Sequence, residues 1–322
     1  TGTNINPDNN NTGNGGAIMW LGSDGLVDDC IFVNNTAPRL GGAVYLEASS
    51  FGSAENTTFS NSYFENNTAG INGGAINWHE GAKDGKIENS TFVNNTAKAN
   101  GGAVFWFGDN GNIISSNFTE NKALGLVNGT HLDSGCGGAV IWTGSNGTVD
   151  NCNFINNNAS KNGGAVYLRN LTANGCDNTT FSNSHFEDNT AGRNGGAIDW
   201  HKGATNGRIE NSTLVNNTAR ANGGAVYWYG NNGNIIGSNF TDNKALGEVN
   251  GTFNINTGCG GALIWTGSNG TVDSCNFVNN SAAQNGGAVF LRGVFSDICD
   301  NTTFSNSHFE NNTAGINGGA ID

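Results

Sequence analysis

Residues able to do acid–base chemistry are few and widely separated in this chain. The densest group is Asp199-Trp200-His201-Lys202, where a carboxylate and an imidazole two residues apart share one face of an extended strand. Chemistry of that kind would suit glycoside hydrolysis or elimination, which needs two carboxylates ~5–9.5 Å apart, or a metal-holding acidic cluster beside a base. The corresponding segment earlier in the chain is Asn77-Trp78-His79-Glu80, which lacks the carboxylate, and a third copy opens at Asp322. Asp150 and Asp273 also recur, inside Asn-Gly-Thr-Val-Asp segments that read as turns. His79, His131, His185, His201 and His308 are not grouped at metal-ligand spacing. A catalytic centre is one constellation placed on a scaffold, whereas these residues repeat. No enzyme activity, catalytic residue, cofactor or metal is therefore expected. A polysaccharide lyase or hydrolase using Asp199 is the lesser alternative.

Three other residue sets could carry function. Tyr45, Phe105, Phe107, Tyr167, Tyr227, Tyr229 and Phe290 occupy outward positions of one recurring strand, and stacked aromatics there would form a contact stripe. The alternative is packing within the sheet surface or cover by long loops. Asn34, Asn66, Asn94, Asn216, Asn279 and Asn311 open Asn-Asn-Thr/Ser sequons at turns, and Asn128 and Asn250 lie in the longest insertions. These are candidate N-glycosylation sites. Of the seven cysteines, Cys30, Cys152 and Cys275 fall in a small buried column and read as free core thiols. Cys136 with Cys176, and Cys259 with Cys299, appear together, which hints at disulfides; Cys152–Cys176 is the alternative pairing.

The elements that position all of these come from a repeat. Gly-Gly-Ala followed by Val, Ile or Leu begins at Gly15, Gly41, Gly73, Gly101, Gly137, Gly163, Gly195, Gly223, Gly260, Gly286 and Gly318. The intervals run 26, 32, 28 and 36 residues, then 26, 32, 28 and 37, so four units make a super-repeat of about 122 residues. Each unit also holds an aromatic followed by a fixed Asn and Ala, as in Phe32-Asn35-Ala37 and Phe154-Asn157-Ala159, with Leu214 standing in once. Counting the first Gly as zero, position 3 is Val, Ile or Leu, and position 5 is Trp in seven units and Leu in three. Side chains alternate faces along a strand, so positions 3 and 5 point inward as a core stack and the variable position 4 points out. The Asn after each Phe would form an amide ladder, and Gly-Gly would supply a turn.

These patterns predict an all-β chain: a right-handed parallel β-helix of about ten coils, 26–37 residues each, with three short strands and three turns per coil. Residues 1–14 would be a lead-in and 15–322 one continuous helix, read as part of a longer array. Gly numbers 51 of 322 residues and only 12% are charged, yet 36% are hydrophobic at fixed offsets, which supplies a core and argues against disorder. The formal charge of −13, with basic residues scattered singly, argues against nucleic acid. No apolar run is long enough to span a bilayer as a helix.

The pairing of Gly-Gly-Ala-[Ile/Val/Leu] with Phe-x-x-Asn resembles the repeat of the chlamydial polymorphic outer-membrane proteins. The Asn/Thr-rich wording of Asn89-Ser-Thr-Phe-Val-Asn-Asn-Thr-Ala97 is similar to adhesin-like surface proteins of methanogenic archaea. That resemblance implies an extracellular or cell-surface protein, adhesin-like or a stalk, whose partners are cell-surface glycans or proteins. The alternative is a structural fibre subunit whose uncapped coils stack end to end on copies of itself.

Overall fold

The fold is described from a computed structural model, which covers residues 13–47, 53–79, 81–126, 134–169, 175–201, 203–249, 252–253, 257–293 and 299–322. Asn128 and Asn250 lie outside these residues. The described chain winds as a parallel β-helix with four ten-stranded sheets. The first runs from Ile18–Trp20 to Val289–Leu291 and the second from Leu26–Asp28 to Thr303–Ser305. The third runs from Ile31–Val33 to His308–Glu310 and the fourth from Thr36–Ala37 to Thr313–Ala314. Within these four sheets each strand pairs in register with its copy in the adjacent coil, for example Val104↔Val140 and Trp106↔Trp142. Extra residues in longer coils leave this register intact; one insertion forms a hairpin of Glu248–Val249 with Thr252–Phe253.

Each coil thus has four strands, where the sequence pattern predicted three. The additional one is the Thr-Ala pair after the ladder Asn, which bonds to its own copies as Thr96↔Thr68 and Ala97↔Ala69. It forms because the chain turns sharply just before it. Within one coil Asn146, Asn151 and Asn156 adopt φ of 57°, 52° and 55°, left-handed conformations at successive corners. Asn tolerates this region better than other side chains, because its short amide can bond locally. The abundance of Asn follows from it.

The fourth corner is Gly-Gly. Gly137 has φ +65°, and a Cβ on Gly138 would overlap the carbonyl oxygen of Gly164 in the next coil. Neither position has room for a side chain.

Inside, one core runs through the coils. Trp78, Trp106 and Trp142 stack with ring centroids 4.2 and 4.9 Å apart, as do Trp200, Trp228 and Trp265. Phe64, Phe92 and Phe118 stack at 4.7 Å, the spacing of paired strands. Indole size dictates a second position. In all seven Trp coils the residue before the second strand is Gly; a Cβ on Gly147 would lie inside the Trp142 ring. In the three coils with Leu46, Leu168 or Leu291 the same position holds Thr57, Thr179 or Thr302. Their hydroxyls bond to the carbonyls of Ala54, Cys176 and Cys299.

Buried polar side chains form two columns. In the first, the amide nitrogen of Asn121 donates to the Phe92 carbonyl and to Asn157 Oδ1, while its own oxygen accepts from the backbone N–H and side chain of Asn95. This ladder continues from Asn35 to Asn312. In the second, each Ser hydroxyl donates to a carbonyl two residues back and accepts from the neighbouring coil, as Ser184 does from the Cys152 N–H. Cys152 and Cys275 stand in this column as hydroxyl substitutes, with burial pushing their thiols up to about 12 and about 11.

Candidate functional site

The outward positions of the first sheet hold the chemistry singled out in the sequence. Strand register places Asp199 directly between Tyr167 and Tyr227, and Asn77 between Tyr45 and Phe105. One step along each strand, a histidine interleaves with rings of neighbouring coils. His201 meets Tyr167 and Tyr229 at centroid distances of 5.8 and 6.4 Å, both nearly edge-on. His79 meets Tyr45 and Phe107 at 6.0 and 6.4 Å in the same way. Phe105–Phe107 and Tyr227–Tyr229 complete each cluster. Two homologous clusters therefore sit one super-repeat apart on a single face.

This face falls between the two sequence readings, covered over part of its length and half-exposed over the rest. Tyr45 is 2% exposed and Tyr167 fully buried, while Phe105, Phe107, Tyr227, Tyr229 and Phe290 are half-buried. Asn77 and Asp199, expected to point into solvent, are also covered. The alternation placed these side chains on the correct face, since Ile141, Tyr167, Phe105 and Cys136 form a cluster separate from the main core. What alternation does not encode is whether that face is covered.

Electrostatically the two clusters differ. Burial raises the Tyr227 phenol to about 12; Asp199 and Tyr229 add to the rise, and Arg292 and Arg193 oppose it. Burial likewise raises Tyr45, with Glu47 adding and Arg39 opposing. Phenols held this high stay protonated and serve as hydrogen-bond donors, not as bases. Asp199 and His201 are brought to the same cluster.

The cysteine pairings of the sequence are corrected here: all seven are free thiols. Cys176 turns into the main core, where its Sγ donates to the Trp142 carbonyl, whereas Cys136 packs in the outer cluster. The first sheet lies between them, so no bridge forms. Cys152 keeps its place in the hydroxyl column. Cys299 packs against the main core and bonds to the Trp265 carbonyl, while Cys259 lies in the corner column, its N–H bonded to Asn222 Oδ1. The sequon residues Asn34, Asn216, Asn279 and Asn311 are exposed and Asn66 and Asn94 half-buried, all at left-handed corners.

Sequence reasoning missed an external amide ladder along the corner before the second strand. Asn178 donates to Asn146, Asn206 to Asn178 and Asn232 to Asn206, over 3.0–3.1 Å. Its signal, a fixed Asn or Asp two residues before that strand, is visible once the coils are aligned.

Comparison with known proteins bears on these coils. Six segments match the Chlamydia polymorphic membrane protein repeat. They are residues 29–47, 61–77, 89–105, 151–169, 183–199 and 274–292. Each repeat match runs from the corner before the third strand, across the Phe and the ladder Asn, into the first-sheet strand of the following coil. The second sheet and the insertions lie outside the repeat matches. No curated protein matches the chain. Among solved structures, the A-module of Azotobacter vinelandii mannuronan C-5 epimerase AlgE4 is 11% identical, with a TM-score of 0.40 over 96% of this chain and 91% of that one. The catalytic domain of a GH87 α-1,3-glucanase is 11% identical, with a TM-score of 0.45 over 96% of this chain and 60% of that one.

Proposed function

We propose that this chain is a non-enzymatic surface protein, an adhesin-like rod whose stiff β-helix presents the outer face of its first sheet to a partner. The observation that carries the reading is the distribution of outward aromatics. Among the described residues, the outward Phe and Tyr positions lie on the first sheet, with Tyr63 on the third as the exception. Outward positions of the second sheet hold residues such as Thr148, Asp150, Arg208 and Glu210 instead. Outward positions of the third sheet carry aliphatic side chains such as Val93, Ile155 and Val215. The polymorphic membrane protein repeats support a surface location.

The test is attachment of the purified chain to cells and to an array of glycans and surface proteins. Retained attachment that falls after Tyr229→Ala is expected. Absence of any attachment overturns the reading. Release of products from polysaccharides, abolished by Asp199→Asn, would replace it with an enzyme.

A further inference from the structure

Cationic side chains gather around one part of an otherwise acidic rod. The chain carries a net charge of −13 and six arginines. Arg193 follows Lys161 by one coil along the corner where the chain enters the first sheet, their backbones joined by an N–H···O bond of 2.7 Å. Arg169 and Arg292 occupy the strand end where the chain leaves that sheet, Arg169 bonding through its N–H to the Trp142 carbonyl and Arg292 to that of Trp265. The acids in the outward columns between them are Asp199 and, at the far end, Asp322. Arg193 is exposed, Arg292 half-buried, and both act electrostatically on the Tyr227 hydroxyl between them.

The homologous cluster one super-repeat earlier provides an internal comparison. There Glu47 replaces Arg169, Asn77 replaces Asp199, and Phe105 and Phe107 replace Tyr227 and Tyr229. The later cluster has therefore gained Arg193, where the earlier one has Ile71, together with Arg169, Asp199 and two hydroxyls, whereas Arg39 and Arg169 of the earlier cluster already match Lys161 and Arg292. A surface of half-exposed rings edged by guanidinium groups matches one ligand chemistry: sugar rings whose C–H faces lie on aromatics, with carboxylate or sulfate groups held by arginine.

We propose that the outer face of the first sheet between Lys161 and Arg292 binds a polyanionic saccharide. This rests on the adhesin-like reading and names its ligand. Arg193 and Arg292 take the acidic groups; Tyr227, Tyr229 and Phe290 take the sugar faces. The protonated Tyr227 phenol adds a donor.

The experiment is calorimetric titration of the intact chain with oligogalacturonate, carrageenan oligosaccharides (sulfated and free of carboxylate), cello-oligosaccharide and poly-glutamate. Binding of either acidic saccharide is expected, the two arms separating carboxylate from sulfate, with affinity falling as salt rises. Arg193→Ala and Arg292→Ala should each weaken it by about fivefold or more, whereas Arg39→Ala and Arg220→Ala should leave it unchanged. Thermal melting of each variant separates lost binding from lost fold, and Tyr227→Phe, which keeps the ring, should weaken binding only in part. The proposal is overturned if neither acidic saccharide binds, if cello-oligosaccharide or poly-glutamate binds as well, or if the two Arg variants bind normally. Should the chain attach to cells yet ignore polyanions, the adhesin-like reading stands and this ligand falls. Attachment to nothing removes both.

Discussion

Inside each coil an asparagine amide has several bonds to make and makes them with its own copies above and below. Asn121→Ala would strand the Asn95 side-chain and backbone donors and the Phe92 carbonyl, all buried. At ~1 kcal/mol or more for each stranded group, the loss should reach about 3 kcal/mol in chemical denaturation. Asn206→Ala on the external ladder, where water replaces the lost bonds, should cost under ~1 kcal/mol. The inner ladder was legible in the sequence, because its Asn keeps a fixed offset from an inward Phe. The outer one was not, because a left-handed corner leaves no mark on hydrophobic alternation. Thiols give a second measurement. With Cys152 at about 12 and Cys275 at about 11, their alkylation in the folded protein at pH 8 should run roughly 10²–10³-fold slower than that of a free thiol. Their folded pKa values are raised, so the stability they contribute is intact below about pH 8.5. It falls as pH climbs through the window up to 11–12, because the unfolded chain releases these protons first. A denaturation midpoint that stays flat across this alkaline window would contradict the burial of these groups.

At the scale of the strand, the coupling between Trp and the following Gly is the sharpest expectation. Gly147→Thr drives a side chain into the Trp142 indole and should destabilise by about 3 kcal/mol. Adding Trp142→Leu recreates the Leu168/Thr179 pairing of the next coil and should recover at least ~1 kcal/mol, a coupling that a double-mutant cycle reads directly. Neither residue announces this dependence until register aligns the coils. The fourth sheet was hidden for a related reason: its two-residue strands, such as Thr96–Ala97, contribute a single inward side chain, too little for a period to show. The first sheet was easily read, since Val104 and Trp106 flank the outward Phe105. The cover over Tyr45 and Tyr167 arises from tertiary packing, so no strand pattern contains it.

For the whole molecule, the super-repeat makes the array modular. Deleting residues 137–259 joins Cys136 to Gly260, restoring the native Cys-Gly-Gly-Ala junction. Trp265 would then stack on Trp106, as Trp142 does now. Such a chain should fold, keep cooperative melting, and lose about 19 Å of length in small-angle scattering, four coils at ~4.8 Å each; an aggregated or unfolded product would refute modularity. The repeat length was plain from sequence, because Gly-Gly-Ala admits no substitute where backbones touch. Unequal coils have a mechanical consequence. Each coil is gripped only by its two neighbours, so a load pulling the ends apart should peel the rod one turn at a time. Ladder partners in consecutive coils lie 32, 28, 26 and 36 residues apart. At ~3.4 Å per extended residue, the released lengths would differ by up to roughly 30 Å and recur in fixed order. A force trace would therefore carry a barcode, its step sizes reporting which turn had yielded.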